Sequence, residues 1–316
     1  MSRLENGFLN EAGIYIKTAK EVFSDTARAV KNRKYVERMF ELISRSDSQL
    51  RMEHPEFANE LDVIRERGRL TVFNAKFEDD YVNKPVSIHY DRELGLKYVI
   101  HNGKRLYYPR NMRSTSLSEL YNSICIEQDI ASPHRYLDKN EDLSNTILFD
   151  CGCAEANFTL DVIEQVKAAY LFEGDDKWSD PIHATFSKWN SKVKLVQRLI
   201  GTGNNMLSLR SFIEEQIELG KLDYNNKIFI KMDIEGSEVD VIEDLLPILG
   251  NFTDIKLAVC VYHRGSDEKR IRDILKDDYL CEERNGHMLF LWEDQSEIEY
   301  PFFRHGVLRI NNRRYD

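Results

Sequence analysis

Carboxylate side chains follow three of the short apolar runs that are typical of buried strands. Asp150 follows the first run, Glu173 follows the second, and Asp233 and Glu235 follow the fourth. Because the carboxyl ends of parallel strands meet at one edge of a sheet, we expect these acids to face one cleft. Carboxylates in such a cleft can hold a cation, accept hydrogen bonds from hydroxyl groups or take up a proton.

The first loop lacks the pattern of a phosphate-binding loop. It reads Asp-Cys-Gly-Cys-Ala-Glu-Ala-Asn over residues 150–157, whereas a nicotinamide or flavin loop needs G-x-G-x-x-G to cradle a pyrophosphate with backbone amides. A ligand with an amino group and no phosphate fits better, and S-adenosylmethionine is such a ligand. The predicted cofactor-binding residues here are Asp150, Gly152, Glu155 and Asn157. An ordinary tight turn is the alternative.

The second loop adds Glu173 and Gly174, which begin 23 residues after Asp150. An acid at about this distance from the first loop holds ribose hydroxyls in doubly wound folds. We therefore predict that Glu173 binds a ribose and that Gly174 opens space beside it. The alternative is a solvated loop whose acids cap the next helix.

The fourth and fifth loops supply the candidate catalytic residues. Asp233 and Glu235 are one residue apart, so in an extended chain both carboxylates point the same way. Gly236 permits a sharp turn into the next helix, and Ser237 can cap that helix. Asp233 is also predicted to contact the cofactor.

His263 follows the fifth run and completes this candidate catalytic set. An imidazole that titrates near neutrality suits the deprotonation of a hydroxyl group. Two alternatives stay open: the acids only stabilise a helix start, and His263 is structural. Asp233, Glu235 and His263 could also bind Mg²⁺ or Mn²⁺ together, but their spacing does not demand a metal, and none is predicted.

The elements that must position these residues alternate between strand and helix from residue 146 onward. This order predicts an α/β fold with a doubly wound, mostly parallel, Rossmann-like sheet. An antiparallel C-terminal hairpin, 279–283 with 288–292, is expected to close it. Before residue 146 the pattern predicts an α+β N-terminal region, with helix over 8–46 and a hairpin turn at Asn102-Gly103. The predicted domains are 1–145 and 146–316.

The string Lys-Met-Asp-Ile-Glu-Gly-Ser-Glu at residues 231–238 is the most specific motif. Together with residues 150–159, 171–175 and 261–263 it resembles the FkbM family of S-adenosylmethionine-dependent methyltransferases. The resemblance covers roughly residues 146–292. It implies a class I methyltransferase fold and methyl transfer to a hydroxyl of a sugar, polysaccharide or polyketide-type acceptor. Ala156 departs from the glycine common in related sequences, and its methyl group is expected to crowd the cofactor.

The segment before this domain carries aromatic and polar residues without an assigned function. Residues 127–129 and 132–136 look like the leader of some bacterial members of that family. Tyr107, Tyr108, His134 and Tyr136 can cover the acceptor side, although core and edge packing is the alternative.

The charge balance limits the classes of partner. The chain has 44 basic and 54 acidic residues, and this net charge of −10 disfavours nucleic acid. The tail from Arg309 onward is expected to be a solvated terminus. No run reaches the length of a membrane span, the first residues lack a signal-peptide core, and the five cysteines read as free thiols. A cytoplasmic protein is expected, with a homo-oligomer left open.

Three functions compete at this level. The leading hypothesis is O-methylation of a glycan or a glycosylated small molecule with S-adenosyl-L-methionine as cofactor. A non-catalytic methyltransferase-like scaffold, which binds a partner through residues 1–145, is the alternative. A nicotinamide dehydrogenase is a third hypothesis, and the missing glycine pattern argues against it.

Overall fold

The computed structural model describes residues 8–9, 15–16, 19–82, 84–138, 141–291 and 302–312, with side chains from residue 32 onward except at 277. The helices are α1 Ala19–Glu53, α2 Ala58–Arg67, α3 Ser114–Glu127, α4 Asn157–Val162, α5 Ser179–Thr185, α6 Leu209–Glu218, α7 Glu238–Leu249 and α8 Asp267–Leu275. The strands are β1 Phe8–Leu9, β2 Tyr15–Ile16, β3 His89–Asp91, β4 Leu96–His101, β5 Lys104–Tyr108, β6 Thr146–Cys151, β7 Ala168–Phe172, β8 Val193–Val196, β9 Lys227–Met232, β10 Asp254–Cys260, β11 Tyr279–Glu283, β12 Met288–Leu289, β13 Phe303–Arg304 and β14 Val307–Asn312.

Two compact units make up the chain, and the first comprises residues 1–76 and 287–304. In this unit, apolar residues of α1 and α2 pack on the short antiparallel pair β12–β13. The helix predicted over 8–46 begins only at Ala19, and the prediction is wrong at 8–9 and 15–16, where β1 and β2 pair antiparallel. Two-residue strands that pair with each other satisfy their backbone groups locally, which the side-chain period does not reveal.

The second unit comprises residues 77–286 and 305–316 and contains the large sheet. Its strand order is β11-β14-β10-β9-β6-β7-β8. The strands β6 to β10 are parallel to one another, and β14 runs antiparallel to both β10 and β11. The predicted α/β fold with a mostly parallel sheet is confirmed. The domain boundary predicted at 145/146 falls inside this unit and stays a prediction.

Alternate residues of each central strand enter two separate apolar cores. Ile147, Phe149 and Cys151 of β6 pack toward α6, α7 and α8, whereas Leu148 packs on the opposite face with α3, α4 and α5. This period of two follows from the pleat of a strand. Asp150 therefore belongs to the α4 face, as does Lys231 of β9, which lies directly opposite it in the register.

The C-terminal strands pair differently from the expected hairpin. Tyr279–Glu283 pairs with Val307–Asn312, and Met288–Leu289 pairs instead with Phe303–Arg304. The predicted solvated tail is also wrong at Arg309, which is buried in β14 and contacts Glu141. Val307, Leu308 and Ile310, the apolar neighbours of Arg309, are buried where β14 lies between β10 and β11. The burial of these side chains outweighs the local preference for a hairpin turn at Gly286.

The antiparallel sheet β3-β4-β5 contains the predicted turn. Asn102 and Gly103 have φ angles of 49° and 80°, and β4 and β5 pair from His101↔Lys104 onward. The hairpin prediction is confirmed because both turn positions adopt the positive φ that asparagine and glycine tolerate. Within the described ranges, no helix combines the length and apolarity that crossing a membrane requires.

The strand order reverses at β6, which lies between β7 and β9. At this switch the loops after β6 and β9 touch: Asp233 N donates to Cys151 O over 3.1 Å. Gly152 has a φ of +72°, and a Cβ there would lie 1.9 Å from the Asp233 carbonyl oxygen. Only glycine fits this contact, which brings the two loops together.

We expect Gly152→Ala to lower the free energy of unfolding by roughly 3 kcal/mol, since it adds overpacking to the strain of a left-handed residue. Gly220→Ala is the matched control, because Gly220 has a φ of +66° and no atom within 4 Å of a Cβ. Its expected cost is only about 1 kcal/mol. Urea unfolding of both variants checks this, and equal losses would contradict the steric argument.

Candidate active site

A buried ion pair lies beneath the first loop. The Asp150 carboxylate is 3.2 Å from Lys231 Nζ and accepts a 2.6 Å hydrogen bond from Thr159 Oγ1. Lys231 Nζ also donates to Gly152 O over 2.6 Å. Asp150 therefore binds an amine, but that amine belongs to the chain itself. A contact between Asp150 and a cofactor stays a prediction.

Four amides of the first loop already have acceptors within the protein. Gly152 N and Cys153 N both donate to Phe172 O, and Ala156 N donates to Cys153 O. Ala154 N donates to Glu173 Oε2 over 2.9 Å. Because these four amides have internal acceptors, they do not form a cradle for a phosphate.

Ala156 takes the left-handed backbone conformation, with a φ of 59°. This conformation favours glycine, which gives a physical reason for the glycine of related sequences. The Ala156 methyl group is fully buried and belongs to the apolar core around α3, α4 and α5. Asn157 and Glu155, two of the predicted cofactor residues, are buried next to it.

Glu173 is fixed by backbone amides at the end of β7. Its Oε2 accepts from Ala154 N, and its Oε1 accepts from Asp175 N over 2.8 Å. The side chain is half-buried, and each carboxylate oxygen retains a second lone pair for a ligand hydroxyl. Gly174 is covered by the exposed side chain of Leu199, whose Cδ2 would lie 2.3 Å from a Cβ at that position.

Asp233 is the centre of the second half of the site. Tyr136 donates its hydroxyl to Oδ2 over 3.0 Å, and Tyr262 donates to Oδ1 over 3.3 Å. Burial alone would raise the pKa of Asp233, but the neighbouring positive charges, first that of Lys231, lower it to about 2. Asp233 is therefore a carboxylate at any physiological pH.

Two histidines flank Asp233 with opposite protonation tendencies. His134 Nε2 lies 3.7 Å from Asp233 Oδ2, and burial lowers the pKa of His134 to about 4. His263 lies against Oδ1, with Nε2 3.5 Å away. Burial alone would lower the pKa of His263, but the carboxylate of Glu238, followed by those of Asp233 and Glu235, outweighs burial and raises it.

The loop after β9 does not have the geometry expected from its sequence. Glu235 has a left-handed φ of 59°, and its side chain is 91% exposed against 20% for Asp233. The extended-chain prediction for this pair is wrong because the chain turns at once into α7. Both carboxylates nevertheless approach His263 Nε2, Glu235 Oε2 at 3.6 Å.

The helix cap also differs from the expected one. Ser237 makes no side-chain capping bond, whereas Glu238 Oε1 accepts from Ile234 N over 2.8 Å. The same oxygen lies 3.1 Å from His263 Nδ1. Glu238 thus closes the loop and orients the histidine, a role that the sequence analysis missed.

The sequence analysis also did not assign Lys231 to the site, nor His134 and Tyr136 in the segment before β6. A lysine inside an apolar strand needs a buried counter-charge, so the sequence could have predicted the pair with Asp150. His134 and Tyr136 had no motif that assigned them to Asp233. Tyr107 and Tyr108, in contrast, are buried in β5, where core packing explains them.

The predicted site residues are thus brought to one edge of the sheet. Gly152 contacts Asp233, and Glu173 bonds the loop that contains Gly152. His263 joins Asp233 and Glu235. Burial, with the charges of Asp233 and Glu155, also raises the pKa of Glu127 at the end of α3 to about 8. The edge is therefore rich in acids, and Lys231 is buried among them.

Comparison with known proteins gives limited similarity. No protein-family model matches the chain, and no curated protein matches its sequence. An FkbM methyltransferase from Methylobacillus flagellatus is 18% identical over 53% of this chain and 43% of its own, with a TM-score of 0.35. A precorrin-6y C5,15-methyltransferase from Geobacter metallireducens is 12% identical over 54% of this chain and 81% of its own, with a TM-score of 0.33.

A third similar structure is the TrmK protein of M. capricolum in complex with S-adenosylhomocysteine. It is 14% identical over 55% of this chain and 65% of its own, with a TM-score of 0.31. The chain spans less than half of the length of the FkbM methyltransferase from Methylobacillus flagellatus. Because these TM-scores are below 0.5, the function has to be derived from the site itself.

We expect Lys231→Met to lower the free energy of unfolding by about 3–5 kcal/mol, because it leaves the Asp150 carboxylate buried without its counter-charge. The double variant with Asp150→Asn should recover part of this loss, since the unpaired charge at position 150 is then removed as well. Urea unfolding of the two variants measures the difference. A single-variant loss below about 1 kcal/mol would show that the pair is not desolvated.

Burial raises the pKa of the Glu155 carboxyl from 4.5 to about 7. The folded chain therefore binds this proton more tightly than the unfolded chain, and stability is lost as the pH rises between these two values. Glu155→Gln removes that loss, so its stability relative to the unsubstituted chain should increase by up to about 3 kcal/mol from pH 4.5 to pH 8. Urea unfolding at both pH values tests this.

Glu164→Gln, at an exposed acid beyond α4, is the control for this pH experiment. Its stability relative to the unsubstituted chain should change little with pH. If the stability of Glu155→Gln relative to the unsubstituted chain also did not change with pH, Glu155 would be hydrated in the folded protein.

Proposed function

We propose that the chain is an S-adenosylmethionine-dependent methyltransferase. The observation that carries this proposal is the pairing of an acid-rich sheet edge with a first loop in which four amides, those of residues 152, 153, 154 and 156, already have acceptors. Such an edge favours a ligand with positive charge and hydroxyl groups, and it disfavours a phosphate. S-adenosylmethionine has a sulfonium, an ammonium and a ribose.

The residues present fit this cofactor. Glu173, held by two amides, would accept the ribose hydroxyls through its remaining lone pairs. Gly152, Glu155 and Asn157 line the loop where the methionine part would lie, and Asp233 adds negative charge near the sulfonium. When bound, the cofactor supplies an electrophilic methyl group for in-line displacement.

The chain's own contribution is to position the acceptor and remove its proton. The carboxylates of Asp233 and Glu235 lie 3.5 Å and 3.6 Å from His263 Nε2. We propose these three residues as the catalytic set at which an acceptor hydroxyl loses its proton. Tyr136 and Tyr262 hold the Asp233 carboxylate from both sides. A fixed carboxylate orients the acceptor oxygen at little entropic cost.

For the acceptor we propose a hydroxyl of a sugar, a polysaccharide or a glycosylated small molecule. The resemblance to the FkbM family supports this class. The half-buried ring of Tyr262, whose hydroxyl donates to Asp233, combines an apolar face with a polar tip, which suits a sugar ring. The surplus of acidic residues, 54 against 44, supports a non-nucleic-acid partner.

We expect S-adenosylmethionine, and not NAD, to raise the melting temperature of the chain. Glu173→Ala should weaken the binding of S-adenosylmethionine at least tenfold in calorimetric titration, since it removes the carboxylate that accepts the ribose hydroxyls. Asp176→Ala is the control, because Asp176 is an exposed acid on the same loop. Absence of any shift at millimolar cofactor would refute the enzyme hypothesis in favour of a non-catalytic scaffold.

A further inference from the structure

We propose that a polar cavity between α3 and α4 binds a short oligosaccharide at a site separate from the candidate active site. The cavity has a volume of 480 Å³, and ligand sites in proteins span roughly 300–1,000 Å³. The residues named above for the cofactor and for catalysis are absent from the described residues that line it. The binding claim therefore does not depend on the proposed function.

An Asp–His–Tyr chain of polar contacts forms one wall of the cavity. His101 Nε2, at the end of β4, lies 3.0 Å from Asp161 Oδ1 of α4, and His101 Nδ1 lies 3.2 Å from the Tyr121 hydroxyl of α3. Asn102 Nδ2 donates to the same Asp161 oxygen over 2.7 Å. Because the carboxylate fixes the imidazole proton on Nε2, Nδ1 accepts the hydrogen bond from Tyr121. The wall is thus ordered by contacts among three elements before any ligand binds.

Tyr121 in this chain of contacts is suited to binding rather than to covalent chemistry. Burial, followed by the nearby Cys125, raises the pKa of Tyr121 above the usual value of a phenol, so the hydroxyl keeps its proton. That proton lies in the hydrogen bond to His101. The lone pairs of the Tyr121 oxygen therefore stay available as acceptors for a ligand.

Asp161 offers the strongest acceptor of the wall. Both of its polar contacts fall on Oδ1, and its Oδ2 has no hydrogen-bond partner within the described ranges. Burial alone would raise the pKa of Asp161, but its contacts with His101 and then Asn102 outweigh burial and lower it. Asp161 is therefore a carboxylate whose second oxygen can accept from ligand hydroxyl groups.

The charges around the cavity balance, so they favour a neutral ligand. Asp138 and Glu141 of the wall are each paired with arginine side chains. The remaining charges of the described lining residues are those of Asp161 and of Arg135, which donates to two backbone carbonyl groups. A sugar supplies many hydroxyl donors without a net charge. A polyamine or a phosphate would instead bring a charge that the wall does not compensate.

A second cavity, with a volume of 290 Å³, makes room for more than one sugar ring. It shares Tyr81, Tyr121 and Cys125 with the first cavity. The half-buried rings of the two tyrosines combine apolar faces with polar tips, which suit the faces of sugar rings. Because the two cavities meet at these rings, the ligand that fits them is a short chain of sugars rather than a single one.

The site lies beside the candidate active site. Phe158 lines the first cavity, and its ring centroid lies 5.2 Å from that of Tyr136, whose hydroxyl donates to Asp233. In a methyltransferase with a polysaccharide acceptor, the site would hold a part of the acceptor remote from the reacting hydroxyl, which lowers KM. Only this consequence rests on the proposed function.

The test is the binding of maltotriose, cellotriose and chitotriose to the full chain without S-adenosylmethionine, measured by saturation-transfer difference NMR. We expect at least one of the three to give a saturable signal. Asp161→Ala should weaken that binding at least about tenfold, because it removes the charged acceptor. Gln165→Ala, at an exposed lining residue beyond α4, should fold normally and weaken the binding about threefold. Gln165→Ala decides the test if circular dichroism shows that Asp161→Ala does not fold.

The matched control is Glu164→Gln, at an exposed acid that is not among the described residues lining either cavity. It should bind the trisaccharide like the unsubstituted chain. Absence of a saturable signal for all three sugars up to millimolar concentration would overturn the site. Unchanged affinity in the folded lining variants, or equal weakening in Glu164→Gln, would overturn it as well. Preferential binding of spermidine would show an amine site and would also contradict the proposal.

Cofactor binding separates the outcome for this site from that for the proposed function. Asp161→Ala should bind S-adenosylmethionine like the unsubstituted chain in calorimetric titration. A chain that binds S-adenosylmethionine but none of the trisaccharides refutes only the oligosaccharide site. The reverse result refutes only the methyltransferase proposal.

Discussion

The buried ion pair between Asp150 and Lys231 is the interaction on which the site depends. It joins the ends of β6 and β9, the two strands that meet where the strand order reverses. Taking two charges out of water costs free energy, which only close contact and further hydrogen bonds offset. Thr159 and the Gly152 carbonyl supply those bonds, so the loop geometry and the charge neutralisation depend on each other.

Two regions with different chemistry lie on either side of this pair, one in the loop after β6 and one in the loop after β9. The loop after β6 satisfies its own amides and, through Ala154, fixes the carboxylate of Glu173. The loop after β9 presents Asp233 to two tyrosines and two histidines. In the proposed function, the first region would accept ligand hydroxyls and the second would take up a proton. This division suits a reaction between a nucleoside-type donor and a hydroxyl acceptor.

Much of the scaffold could be predicted because it follows local rules. The parallel strands could be predicted from the apolar runs, and the β4–β5 turn could be predicted from Asn102-Gly103. The position of β14 could not be predicted, because its place between β10 and β11 depends on the burial of Val307, Leu308 and Ile310 against strands that are distant in the chain. Local turn residues near Gly286 suggested a hairpin that long-range pairing does not form.

The sequence by itself determined which residue types stand at the strand ends, since strand periodicity and chain order decide that. It therefore indicated Asp150, Glu173, Asp233 and His263 as neighbours. The tertiary structure decided what each of them contacts. Asp150 meets Lys231, and His263 meets Glu238, because these contacts depend on side-chain direction and on charge compensation at the buried edge. Neither of these follows from the spacing of residues along the chain.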